Sequence, residues 1–280
     1  MAEDRGEGES TFEQKRMTVR QAVEASTAAL GAIGERESSE RLRIELTMKF
    51  VNRVAGGYEG KRVLELGSSL GLHLIAAKKL GASRVVGMDK YVFPEAGENA
   101  FYVSPEDMSV LRRAWTENGV EVMRGDLADP FPDGSFDLVV CNAVLEHVQG
   151  IHKHVFDEAR RVLAPGGSFV LTTPNIASLL KRVRLLFGRS PNWDLKDFFD
   201  SGLEFTGHTR EFTIAECRKM LEWSGFHPSA VMSKPSYFRW DWLWNPRKAH
   251  NVFFQLLSRL SSSLGDLIFA AGKKSANVIR

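Results

Sequence analysis

The chain has 280 residues, 43% of them hydrophobic, and a formal net charge of +2. That is enough apolar material for one sizeable core with appended pieces, and too little charge imbalance for a global field that would select nucleic acid. Its two cysteines, Cys141 and Cys217, match no zinc spacing and read as buried thiols, in keeping with a reducing cytoplasm.

Residues 1–16 are charged, lack an apolar run of signal-peptide length and read as a disordered tail. Residues 17–34 and 36–56 have helical character: Leu42, Leu46, Phe50 and Val54 recur every four residues. "GGYEGK" breaks that pattern, and "RVLEL" follows as a short apolar strand. After a glycine turn, "LHLIAAKKL" reads as a helix ended by Gly81, then "RVVGMD" and "VEVMRGD" as strands. "FDLVVCNA" is a fourth strand, bounded by the turn "PDGS". "IHKHVFDEARRVL" is an amphipathic helix on which His152 and His154 read as surface residues; "APGG" stops it, and "SFVLTTPN" is a fifth strand. "TIAECRKMLEWSGF" is another amphipathic helix, and "GDLIFAAGKK" a last strand. Alternating strands and helices imply a parallel sheet covered on both faces. Residues 176–208 and 229–263 stand outside the alternation. No uninterrupted apolar run is long enough to span a bilayer.

The turn "VLELGSSLG" carries the chemistry. Gly67 and Gly71 remove side chains that would block close approach of a ligand, and the helix beginning near Leu72 aims its amides at the same space. A dinucleotide would call for G-x-G-x-x-G spacing, and Glu65 at the strand end would repel its pyrophosphate. A carboxylate there suits a cationic amino group. Asp89, at the end of the second strand, can accept from both hydroxyls of a ribose; the alternative is a helix cap or a solvated loop acid. Asp126, at the end of the third, can accept from an adenine amine; the alternative is a turn-forming Asp. Three acids at three successive strand ends favour one adenosine-containing ligand over three accidents.

These segments resemble the class I S-adenosylmethionine-dependent methyltransferases of the small-molecule type. "VLELGSSLG" is similar to their first motif and "VVGMDK" to their second. "RGDLADPFPDGSFDLVVCNAVLEHV" is similar to the third and fourth, and "EARRVLAPGGSFVLTTPN" and "GHTREFTIAECRKMLEWSGF" to later stretches. The resemblance covers residues 60–228 and 264–274. It implies an α/β fold: a Rossmann-like, doubly wound, mostly parallel seven-stranded sheet with helices on both faces, plus N-terminal helices and lid-like insertions. It implies S-adenosylmethionine as cofactor, held by Glu65, Gly67, Ser68, Ser69, Gly71, Asp89, Lys90, Asp126, Leu127 and Asn142. The chain departs from the family at Ser69, where glycine is usual, and in the long aromatic stretch 92–107. A serine fits there if its φ is negative or its hydroxyl faces the ligand.

The implied reaction is methyl transfer to oxygen in a sugar-containing or otherwise hydroxylated small molecule, a glycan or secondary metabolite, with no nucleic acid partner. His147 is the candidate base, with orienting a loop or packing under the substrate as the alternative; His208 is the second candidate, and with Arg210 and Glu211 close by it either binds acceptor hydroxyls or belongs to a lead-in to the next helix. Some relatives bind magnesium through Glu-x-x-Glu-His at this place. Here Ala143 stands at the first glutamate position, so Glu146, His147 and His208 make only a partial set and no metal is expected. The divisions expected are a tail to 16, helices 17–56, a cofactor-binding core 57–175, an acceptor-side insertion 176–208, a core helix and strand 209–228, a Trp-rich lid 229–263 and a last strand with tail 264–280. Trp240, Trp242 and Trp244 also fit an interfacial segment, with peripheral membrane contact through 237–260 and a lipid-linked acceptor. Two competing functions use the same fold: a non-catalytic S-adenosylmethionine-binding regulator or scaffold, which Ser69 and the absent metal glutamate allow, and a nicotinamide oxidoreductase, against which the glycine spacing and Glu65 argue. Composition and motifs do not fix an oligomeric state.

Overall fold

The computed structural model describes residues 17–36, 40–90, 103–125, 131–150, 152–192, 195–201, 207–236 and 249–276. Asp126, Leu127, Trp240, Trp242, Trp244 and residues 92–102 lie outside them.

Seven strands form one sheet: β1 (Arg62–Leu66), β2 (Arg84–Asp89), β3 (Glu121–Arg124), β4 (Phe136–Asn142), β5 (Leu163–Pro174), β6 (Phe226–Lys234) and β7 (Leu267–Lys274). Their order is β3-β2-β1-β4-β5-β7-β6. β1 to β5 pair in parallel, and β7 runs antiparallel between β5 and β6. From β1 the chain goes one way to β2, and β4 later returns to β1's other edge. The order therefore reverses at β1/β4, where open sheets of this kind receive their ligands.

Alternation along the strands builds the two faces. Val63, Val85, Leu138, Val140, Val170 and Phe269 point to one side, their neighbours Leu64, Val86, Val139, Cys141, Phe169 and Ile268 to the other. The first face is covered by α1 (Val19–Ala29), α2 (Gly31–Arg36), α3 (Arg41–Ala55), α4 (Leu72–Lys79) and α5 (Pro105–Glu117). The second is covered by α6 (His152–Val162) and α9 (Ile214–Trp223). Between these last two lie α7 (Leu179–Leu186) and α8 (Leu195–Asp200), while α10 (Ala249–Ser258) precedes β7. Capping boxes at Thr18/Gln21 and Thr213/Glu216 start α1 and α9. The N-terminal helices are part of the core: α1 packs along α4, and Phe50 of α3 lies 5.6 Å from Phe269 of β7.

Two boundaries differ from the sequence pattern. "APGG" does not end an element before β5. The strand begins at Leu163, opposite Phe136, and the register then shifts so that Leu138 faces Ser168. The turn residues form a bulge inside the strand rather than a break before it. β6 continues to Lys234, past residue 228, because its whole length pairs with β7.

Phe269 is 1% exposed beneath α3. Phe269→Ala should cost about 3–5 kcal/mol by cavity formation, read as a fall in the midpoint of chemical unfolding.

Candidate active site

The turn after β1 is held by its own amides. Gly67 and Ser68 both donate to the Met88 carbonyl (2.8 and 3.1 Å), and Gly71 donates to the Ser68 carbonyl (2.9 Å). The Ser69 amide donates to Asp89 Oδ2 at 2.8 Å. Trp115 of α5 donates its indole N–H to the Leu70 carbonyl at 2.9 Å. Four N–H groups of the turn are thus spent inside the protein, which makes the loop a poor cradle for a pyrophosphate. Gly67 and Gly71 have left-handed φ of +69° and +82°. A Cβ on Gly67 would lie 2.2 Å from Val144 Cγ2, and one on Gly71 2.7 Å from Trp115 Nε1. The turn after β1 therefore touches the segment that follows β4.

Ser69 has φ +48°, so the first condition for a tolerated serine is not met. Its side chain is exposed. Ser68 is buried, and its hydroxyl packs against Gly87 of β2, so it does not present a side chain to the cleft. Asp89 is 8% exposed at the end of β2, and Lys90 beside it is exposed.

Glu65 belongs to a buried line that the sequence pattern does not reveal. The Tyr58 hydroxyl lies 2.7 Å from His73 Nε2, and His73 Nδ1 lies 3.1 Å from Glu65 Oε1 without hydrogen-bond alignment. Burial, then the Glu65 charge, raise the Tyr58 hydroxyl well above its ordinary value. Glu65 Oε2 is buried with no hydrogen-bond partner among the described residues. An orphaned carboxylate oxygen beside a close-approach turn, with a second carboxylate at the next strand end, fits a cationic amino acid joined to a ribose.

Asn142 is fixed from two sides. Thr172 and Thr47 hydroxyls donate to its Oδ1 at 2.6 and 3.3 Å, and Arg43 of α3 donates to its carbonyl at 3.3 Å. Ala143 follows with φ +57°, a strained value that turns the chain sharply into a single 3₁₀ turn, Leu145–His147.

On that turn Glu146 is 1% exposed, and burial pushes its carboxyl up to about 7; the Thr173 hydroxyl, donating at 3.1 Å, and the Arg43 and Lys181 charges oppose the rise. The amide and hydroxyl of Thr209 both donate to the Glu146 carbonyl, at 2.8 and 3.0 Å. They pin the segment carrying His208 against the 3₁₀ turn. The His147 and His208 rings meet edge to face with centroids 4.9 Å apart. His208 Nδ1 lies 2.9 Å from Glu211 Oε1, and Glu211 Oε2 pairs with Lys181 of α7. Burial, then the His147 and Lys181 charges, lower His208 to about 4. Burial, then Arg184, lower Lys181 to about 8. Next to the Glu211 carboxylate the neutral His208 ring keeps its proton on Nδ1, which fixes the tautomer.

Glu146, His147 and His208 present ligand atoms all within 4.8 Å of one another. One carboxylate and two imidazoles do not fit magnesium, which is held through oxygen. Sequence pattern alone did not mark Lys181, Arg43, Tyr58 or His73; no local motif announces a contact made across the fold. His152 corrects its surface assignment: it packs edge-on to Phe212 at 5.4 Å and is half-buried, whereas His154 is exposed. Arg210 turns away to Glu216 at the start of α9.

Residues 64–171 match the family model described as a methyltransferase domain. Over this stretch the chain carries a methyltransferase domain. S-adenosylmethionine is the cofactor of that family. A Mycolicibacterium smegmatis protein named a probable S-adenosylmethionine-dependent methyltransferase is 33% identical over 177 residues, 62% of this chain and 55% of its own length. A fatty-acid O-methyltransferase of the same organism is 31% identical over 137 residues, 49% of this chain and 45% of its own. The chain spans about half the length of these two relatives. In fold, the chain is similar to a methyltransferase in complex with the Haloferax volcanii Trm112 methyltransferase activator. That likeness has a TM-score of 0.60 at 18% identity and covers 94% of this chain and 100% of the other. Among the described residues no helix is long and apolar enough to cross a membrane.

Ser69→Gly should relieve the left-handed strain and leave S-adenosylmethionine affinity equal or modestly tighter by calorimetry; a large loss would mean that the serine hydroxyl touches the cofactor. For Glu146 the folded state holds its proton to about pH 7 while the unfolded carboxyl loses it near 4.5. Stability attached to that proton is full below pH 4.5 and is lost as pH rises to about 7. Glu146→Gln, which cannot ionise, should therefore raise the melting temperature relative to wild type more at about pH 8 than at about pH 5.

Proposed function

We propose that this chain transfers the methyl group of S-adenosylmethionine to a hydroxyl oxygen of a small-molecule acceptor, with sugar-containing or other hydroxylated metabolites as the class. The observation that carries this reading is the contact between Gly67 and Val144. It sets the cofactor turn directly against the turn that bears Glu146 and His147. A hydroxyl needs a proton acceptor as its oxygen attacks the sulfonium methyl; a neutral amine already has its lone pair. The histidine pair supplies imidazoles at that place, His208 kept neutral by burial and by the neighbouring Lys181 charge.

In this reading Glu65 faces the amino group of the cofactor's methionine part, Asp89 accepts from the ribose hydroxyls, and Asp126 with Leu127 lies at the adenine. Lys90 and Asn142 border the same cleft, and Gly67 and Gly71 permit close approach. His147 takes the hydroxyl proton, and His208, oriented by Glu211, backs it. Residues 57–175 make the cofactor half, and 176–208 the acceptor side. A macromolecular acceptor remains within the same chemistry: relatives include a ribosomal protein L11 methyltransferase of Thermus thermophilus and a ribosomal RNA large subunit methyltransferase E of Halorubrum lacusprofundi. The near-neutral net charge therefore does not exclude nucleic acid.

The test is methyl transfer from labelled S-adenosylmethionine to a panel of hydroxylated acceptors, with calorimetry for cofactor binding. Binding without transfer to any acceptor would mark a non-catalytic binder. His147→Ala should lower turnover about 10²–10⁴-fold with little change in cofactor affinity. His147→Gln should not restore it, because an amide cannot take the proton; a nearly fully active Gln variant would make His147 an orienting residue.

A further inference from the structure

The apolar residues of the acceptor-side insertion point outward. Leu185, Leu186 and Phe187 at the end of α7 are 63%, 83% and 78% exposed, and none of α7 is buried. On α8, Leu195, Phe198 and Phe199 share one face at helical spacing and are also exposed, Phe199 at 82%. α10 packs against α7 and adds Phe253 and Leu256, with Leu260 just beyond its end, all likewise exposed. Exposed large apolar residues scattered singly need no explanation, but nine on three segments, two of which pack together, do.

The charges beside the apolar tip of α7 have one sign. Residues 179–189, "LLKRVRLLFGR", carry Lys181, Arg182, Arg184 and Arg189 and no carboxylate. Lys181 is committed to Glu211, which leaves Arg182, whose Nε donates to the Ala177 carbonyl, with Arg184 and Arg189 around the apolar tip. On α8 the acids are Asp197 and Asp200, the latter paired with Lys196, and Arg259 follows α10. Apolar side chains flanked by arginines, on helices too short to cross a bilayer, match an anionic interface that takes up both.

We propose that α7, α8 and the exposed face of α10 form a docking surface for an anionic lipid bilayer. The bilayer receives Leu185, Leu186, Phe187, Phe198 and Phe199 between its headgroups, and Arg182, Arg184 and Arg189 pair with its phosphates. The surface is joined to the site. Lys181 sits in the first turn of α7, five residues before Leu186, and pairs with the Glu211 that orients His208. The tip thus stands about 8 Å along the helix from Lys181, at about 1.5 Å per residue, and Lys181 reaches His208 through Glu211. An acceptor anchored in the bilayer would meet the site at that edge. Lipid docking itself does not require methyl transfer, so the two readings fail separately.

The experiment is co-sedimentation of the full chain with phosphatidylcholine vesicles, with and without phosphatidylglycerol. Wild type should sediment with the anionic vesicles, release in high salt, and remain mostly in solution with phosphatidylcholine alone. Leu186→Ser/Phe187→Ser/Phe199→Ser and, separately, Arg184→Glu/Arg189→Glu should each reduce the bound fraction at least severalfold while leaving cofactor affinity and melting temperature near wild type. Absence of sedimentation, or equal sedimentation with neutral vesicles, would overturn the proposal. So would retained binding in both variants with loss in a Trp240→Ala/Trp242→Ala/Trp244→Ala variant, which would move docking to residues 237–248. A concentration-dependent dimer abolished by the apolar variant, without vesicle binding, would assign the face to a second copy instead.

Discussion

Close approach between two turns governs the site. The chain leaves β1 at Gly67 with no room for even one methyl group against Val144, and leaves β4 at Ala143 with a strained left-handed residue. Both devices serve the same end. They bring the ends of two neighbouring parallel strands together where the strand order reverses, the place where open sheets of this kind receive their ligands. The rest of the site is bracing for that contact: Trp115 and Asp89 hold the first turn, and Asn142, Thr172 and Thr209 hold the second.

The second turn is electrostatically demanding. A carboxyl 1% exposed, two imidazoles and a lysine share a small volume with Glu211. Desolvation disfavours every charged form there, and it moves acids and bases in opposite directions: Glu146 upward, His208 and Lys181 downward. Their values are driven toward neutral species near physiological pH. A fold that only needed stability would fill this volume with apolar side chains; ionisable groups kept at this cost are the pattern expected of a site.

Much of this was legible in the sequence, and what was not has physical reasons. β1 to β4, α4, α6 and α9 follow from apolar runs and periodicity because each buries a local pattern against the sheet. The start of β5 was not legible: glycine and proline signal a turn equally well inside a bulge or between elements, and only the pairing partner decides. The end of β6 depends on β7, some thirty residues later. At the site, Glu65, Asp89 and the two glycines sit in neighbouring motifs and could be read together. His73 reads as one more residue of α4, and its contacts with Tyr58 and Glu65 exist only once the helix is laid on the sheet. Lys181 and Arg43 come from helices distant in sequence. The sign of φ at Ser69 is set by the Met88 and Asp89 bonds, which no residue type at that position announces.

The antiparallel strand has a consequence for how the molecule is made. Among the described residues β6 pairs with β7 alone, and β7 lies between it and β5. On a ribosome, five parallel strands can associate while β6 still has no ladder to join. Its backbone groups wait, unpaired, for a strand translated about thirty residues later, and Leu221 and Phe226 wait with them for Gly272 to close over. A nascent chain stalled in that interval would present an open edge at β5. Closure of the sheet thus waits for β7, and in that interval the open edge needs shielding from its neighbours.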